Sequence, residues 1–121
     1  MESGRADSTL LDSDEFEDRG APPPRAGRPV QPFLDAVGAR ITEREGAPFA
    51  LLVGASVRPD WLDGPFGRQY GDLIAVTLLP AFSGLALVRP DGLVSFRSRE
   101  LHMEPLRRHL QQRLRLAPNR T

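Results

Sequence analysis

The stretch LALVRPDGLVSFRS, residues 85–98, narrows the folds open to this chain more than any other. Two apolar runs face each other across Arg89, Pro90, Asp91 and Gly92. Proline presets one backbone angle and glycine accepts a positive φ, so these residues predict a tight reversal between antiparallel strands over 85–88 and 93–96. Beyond them Pro105 suits the first turn of a helix, and Met103, Leu106, Leu110 and Leu114 recur at helical spacing. Arg107, Arg108, Gln111, Gln112 and Arg115 fall largely on the other side. The pattern predicts an amphipathic helix covering a sheet.

Two further apolar runs precede the hairpin. PFALLVG, residues 48–54, is the continuous run expected of a strand buried on both faces. LIAVTLL, residues 73–79, carries β-branched Ile74, Val76 and Thr77 and is closed by Pro80, which predicts a second buried strand. Between them Pro59, Gly64, Pro65 and Gly67 exclude a long regular helix, although Pro59 can open one turn carrying Trp61 and Leu62. That connection reads as mostly loop, long enough to cross over between parallel strands. FLDAVGARI, residues 33–41, fits helix and strand equally. Residues 1–20 are acidic and polar, and APPPRAGRP after them favours polyproline II. The expectation is a disordered acidic and proline-rich segment over 1–28 and a single domain over 29–117.

Composition removes several classes of function. The chain of 121 residues has zero formal net charge, so no global field attracts nucleic acid. Its ends differ in sign: Glu2, Asp7, Asp12, Asp14, Glu15, Glu17 and Asp18 stand near the start, and Arg97, Arg99, Arg107, Arg108, Arg113, Arg115 and Arg120 near the end. These are charges of a contact surface or of a solvated one. All 16 lysine-or-arginine positions are arginine, which reads as coding bias more than as guanidinium-specific pairing. Without cysteine there is no disulfide, no thiolate metal site and no Cys-x-x-Cys redox centre. No basic n-region with an apolar h-region opens the sequence, and no run approaches a membrane helix, so a soluble cytoplasmic protein is expected.

Strand, crossover, strand, hairpin and helix together are the layout of a truncated thioredoxin-like α/β domain, with a mixed sheet and a C-terminal β-hairpin and helix. PFALLVG at 48–54 and GLALVRPDGLVSFRS at 84–98 resemble the C-terminal domain of the flavin-dependent aromatic hydroxylases, a family that includes phenol, hydroxyphenylpropionate and polyketide ring hydroxylases. RAGRPVQPFL resembles the Gly-Arg-x-x-Pro approach to that domain through Gly27, Arg28, Pro32 and Leu34. The resemblance covers residues 25–115 and centres on Val88, Arg89, Pro90, Asp91 and Gly92. It implies a thioredoxin-like domain without redox cysteines that supports subunit contacts and stability. Its implied partners are a second copy or a separate flavin hydroxylase domain. FAD and NAD(P)H are implied only for that partner, and no Gly-x-Gly-x-x-Gly fingerprint occurs in this chain. The family layout has a helix in each of two connections; here the first is broken by prolines and glycines and the second is only PAFSG.

Several tempting motifs carry little. Gly71-Asp72 opens an apolar strand and lacks the surroundings of a flavin contact, and GPFGRQYG lacks the lysine and hydroxyl of a phosphate loop. His102 and His109 are too far apart along a helix to bind one metal ion by themselves, and both are expected in solvent. Ser56, Ser95 and Ser98 pair with a histidine and an acid only on paper, without a Gly-x-Ser-x-Gly elbow. Trp61, Phe66 and Tyr70 are expected in core or interface packing. Arg107 and Arg108 are expected to solvate a helix or meet acids on a partner; interleaved stacking aromatics, which would suggest nucleic acid, are missing. No catalytic, cofactor-binding or metal-binding residue is assigned. The functional expectation is a non-catalytic dimerisation or stability domain. Its rivals are a subunit completing a split FAD-dependent monooxygenase in trans and a small module binding through its basic C-terminal helix.

Overall fold

The computed structural model describes residues 16–22, 24–41, 47–80 and 82–115. Five strands form one mixed sheet: β1 Glu17–Arg19, β2 Phe49–Val53, β3 Ile74–Leu78, β4 Leu85–Val88 and β5 Val94–Ser98. Their spatial order is β1-β5-β4-β2-β3. The outer pairs β1/β5 and β2/β3 run parallel, and β4 is antiparallel to both β2 and β5. The protein is therefore α/β, and the continuous apolar runs of β2 and β4 lie at the centre of the sheet, covered on both faces.

The hairpin forms as its residues require. Arg89 N donates to Leu93 O at 2.8 Å and Gly92 N to Arg89 O at 2.9 Å, with Gly92 at φ +90°. Asp91 accepts the Leu93 N–H at 3.1 Å and the Arg89 guanidinium at 2.8 Å, locking the turn from its own side chains.

Two departures from expectation have clear causes. The connection after β2 contains α2 Asp60–Asp63 and a further helix, α3 Pro65–Tyr70, where mostly loop was expected. Pro65 begins α3, and Gly67 permits the tight α2–α3 corner because a Cβ there would collide with the Leu62 carbonyl oxygen. The ordered unit also starts earlier than residue 29. β1 pairs along β5, Ala21 is buried, and Val94 N reaches Arg28 O at 2.9 Å. Most of the acidic stretch that was expected to be disordered, residues 1–15, lies outside the described residues.

FLDAVGARI resolves as helix α1, Gln31–Val37. It covers one face of the sheet with Val30 and Leu34 over Leu52, Ala86, Val88 and Val94. The opposite face packs Leu51, Val53, Leu85, Leu87 and Phe96 beneath α2, α3 and α4 Met103–Arg108. After α4 the backbone loosens into a π turn, His109–Arg113, in which Leu114 N donates to His109 O at 3.1 Å.

Candidate functional site

Two irregularities and one parallel edge pairing bring together a half-buried acid, a buried imidazole and a buried hydroxyl. In the β4–β5 ladder Leu87 faces Phe96 while Val88 faces Val94, so Ser95 is an extra residue in a β-bulge. The π turn sets His109 inward, next to Phe96 at 5.2 Å between rings. Parallel pairing of β1 places Glu17 beside Phe96. As a result Ser95 Oγ lies 2.7 Å from His109 Nε2, and His109 Nδ1 lies 3.2 Å from Glu17 Oε1. A carboxylate only accepts, so Nδ1 carries the ring proton for Glu17 and Nε2 accepts from the Ser95 hydroxyl.

Burial holds the His109 pKa below the ordinary imidazole value, against the opposing pull of the Glu17 bond and charge; Arg113 adds to the depression. The ring is neutral at pH 7. Arg19 and Arg113 stand 3.1 and 4.0 Å from the Glu17 carboxylate. A polar recess of about 110 Å³ lies over the acid end, lined by Arg19, Arg108, His109 and Arg113 among others.

The order of groups is that of a hydrolytic triad, but Ser95 has no exposed surface and His109 only 1%. No substrate reaches the hydroxyl in this conformation. The relay holds structure: it fastens β1 and the π turn to the bulged strand through a satisfied polar chain. His109, expected in solvent, is thus a buried residue; His102 is exposed and pairs with Glu100 at 3.2 Å. Its position was readable, since His109 follows Leu106 by three and precedes Leu110, inside the apolar arc of the helix.

Arg97 is a second buried polar centre, although its sequence position put it with the basic C-terminal charges. Its Nε donates to Pro24 O at 2.9 Å, and Nη1 to Ser83 O at 2.6 Å, Ser98 O at 2.9 Å and Leu85 O at 3.2 Å. The guanidinium also lies 4.4 Å from the Phe82 ring centroid. Burial pushes its pKa down to about 10, with Asp18 pulling the other way, so the cation persists at neutral pH. One side chain therefore ties the proline-rich approach to the β3–β4 connection and the end of β5.

The residues singled out in the sequence separate into distinct places. Val88 is buried in β4, while Arg89, Pro90, Asp91 and Gly92 make the hairpin tip, onto which the approach segment docks through Val30 N to Gly92 O at 2.9 Å. Trp61 stacks edge-on against Phe66 at 5.4 Å, and Phe66 lies 5.3 Å from Tyr70. Phe66 and Tyr70 are buried within the chain, and Trp61 donates to Leu101 O at 3.0 Å. This cluster is core for the helical face. Arg107 is engaged by Glu104 at 2.6 Å, and Arg108 is exposed beside the Glu17 recess. Among the described residues no group of three or more histidine and acidic side chains is placed to hold a metal ion. Nor is any helix among them long and apolar enough to cross a membrane. Comparison with protein-family models, curated proteins and solved structures found no match.

Proposed function

We propose that this chain is a thioredoxin-like auxiliary domain without chemistry of its own, similar to the C-terminal domain of the flavin-dependent aromatic hydroxylases and working in subunit contact and stability. The observation that supports this reading is the strand order β3-β2-β4-β5, a parallel pair extended by an antiparallel hairpin, with α4 returning over the sheet. β3 is the outer strand, hydrogen-bonded only to β2 within the sheet, so its other edge has main-chain groups for a neighbouring chain. The sealed Ser95 and the inward-turned Arg97 favour a structural role over a catalytic one. A cytoplasmic location belongs to the same proposal, as does a second copy or a separate flavin domain as partner; FAD and NAD(P)H belong to the latter.

The test is light scattering and an absorption spectrum of the chain alone and co-expressed with the flavin domain of an aromatic hydroxylase. A colourless dimer, or a colourless chain that co-purifies with the yellow domain and raises its melting temperature, is the expected result. A lone monomer that joins neither copy nor flavin domain would overturn the partner role. Flavin retained by the isolated chain would overturn the non-catalytic one.

A further inference from the structure

The sheet ends on two unlike edges. β1 is short and every residue in it is charged, Glu17, Asp18 and Arg19, which is how natural sheets keep an outer strand from pairing with another chain. β3 has none of these guards. Ile74–Leu78 reads IAVTL, an uncharged run without proline, and it pairs with β2 in unbroken register, so no bulge twists its free side away. Among the described residues its only ladder is the one with β2.

That ladder decides which main-chain groups are left over. Leu73 O accepts from Phe49 N at 3.0 Å, and Leu79 N donates to Val53 O at 2.8 Å. Bonding toward one neighbour alternates along a strand, so residues 73, 75, 77 and 79 turn to β2. Ile74, Val76 and Leu78 therefore direct N–H and C=O away from the sheet. Val76 lines two recesses, one of about 450 Å³ beneath α2 and α3 and one of about 460 Å³ toward α1, so the free side of β3 opens at its middle.

These outward residues are symmetric about Val76. A second copy turned about a two-fold axis through Val76, perpendicular to the sheet, runs antiparallel to the first. Val76 then meets Val76, Ile74 meets Leu78, and each opposed pair exchanges both N–H···O bonds. Pro80, without an N–H, ends the pairing. The same rotation sets opposite charges together. Asp63 closes α2 and Arg68 stands in the last turn of α3, and both line the recess over Ile74 and Val76. Reversed chain direction brings Asp63 of each copy toward Arg68 of the other. Asp63 Oδ1 accepts from Arg58 at 3.0 Å, which leaves Oδ2 for that contact. Pairing also stops at two chains, because the edges left over are the charged β1 strands.

We propose that two copies of this chain join through antiparallel β3 strands, with Val76 on the two-fold axis, into one continuous sheet. The inference rests on the subunit-contact reading above and specifies its surface. Sedimentation equilibrium of the whole chain should show monomer and dimer in exchange. Val76→Pro removes an outward N–H and no bond to β2, so it should weaken the dimer at least tenfold with the far-ultraviolet circular dichroism unchanged. Asp63→Arg and Arg68→Asp should each weaken self-association at least threefold, and an equal mixture of the two should form a heterodimer as tight as the parent dimer. The chain has no cysteine, so single thiols report the register. Val76→Cys chains, about 5.5 Å apart at Cα, should be joined by a short thiol crosslinker, and Leu78→Cys chains, about 14 Å apart, should not. A dimer that keeps its strength in Val76→Pro and in both charge variants would overturn the edge pairing and leave the subunit-contact reading standing. Crosslinking of Leu78→Cys in place of Val76→Cys would overturn the register. A chain that stays monomeric at millimolar concentration would overturn the second copy as occupant, and loss of flavin-domain co-purification in Val76→Pro would then assign the edge to that domain.

Discussion

Replacing Arg97 by methionine removes the guanidinium and keeps most of the apolar stem, which isolates the carbonyl clamp from simple loss of volume. Four acceptors lose their donor: the carbonyls of Pro24, Ser83, Leu85 and Ser98. Ser83 is exposed and can turn to water, whereas Pro24 is buried and its oxygen is left unsatisfied, at about 1–3 kcal/mol. Loss of the cation from the Phe82 face adds about 1–2 kcal/mol. Relief of the charge's desolvation offsets part of this, so the net loss should be about 2–4 kcal/mol. With a urea m-value of about 1–2 kcal/mol/M, the unfolding midpoint falls by about 2 M. Lysine should not restore it, because a single ammonium group cannot reach acceptors served by both Nε and Nη1. Limited trypsin digestion adds a local readout: cleavage after Arg19 or Arg25 should accelerate more than global unfolding explains, because the clamp holds that segment. An Arg97→Met unfolding free energy within about 0.5 kcal/mol of the parent, taken from the midpoints at typical m-values, would refute the reasoning.

Two further outcomes follow from the packing. His109 has a lowered pKa in the folded chain, so between that value and the ordinary 6.5 of the unfolded chain the unfolded state binds more protons. Its contribution is complete above pH 6.5 and is lost as pH falls through that window, with a slope of up to about 1.4 kcal/mol per pH unit. Urea titrations across the window should show the His109→Gln variant losing less stability with acid than the parent; parallel curves would remove the relay's pH role. In Gly67→Ala a better helix former enters α3, yet its Cβ collides with the Leu62 carbonyl oxygen, so a net loss of about 1–3 kcal/mol is expected. A stabilised Gly67→Ala variant would show that the α2–α3 corner yields freely.

Much of the sheet was legible because its signals are local. The turn at Arg89 to Gly92 is specified by residues in direct contact, and β2, β3 and β4 are apolar runs whose ends are set by glycine and proline. α1 stayed ambiguous for a local reason too, since Gly38 cuts its apolar pattern before helix and strand periods diverge. α3 was obscured by Gly67, which propensity counts against a helix and which only the neighbouring turn explains. The two polar centres depend on distance along the chain instead. Glu17 is 92 residues from His109, and Arg97 is 73 from Pro24. A charge run and a buried clamp use the same residue types, and only the fold decides which arginine turns inward.

The short connection between β3 and β4 links two specific features of the fold. Among the described residues of the connection 79–84 none is helical, and Leu79, Pro80 and Phe82 wall an apolar cleft on the α1 face. The same short passage leaves the Ser83 carbonyl facing β5, where Arg97 takes it and presses its guanidinium on the Phe82 ring. A longer connection carrying a helix would place its own side chains over Thr77 and give Arg97 no reason to reach for main-chain carbonyls. The clamp on β5 and the apolar cleft beside α1 therefore share one short connection. Lengthening that connection should weaken both together.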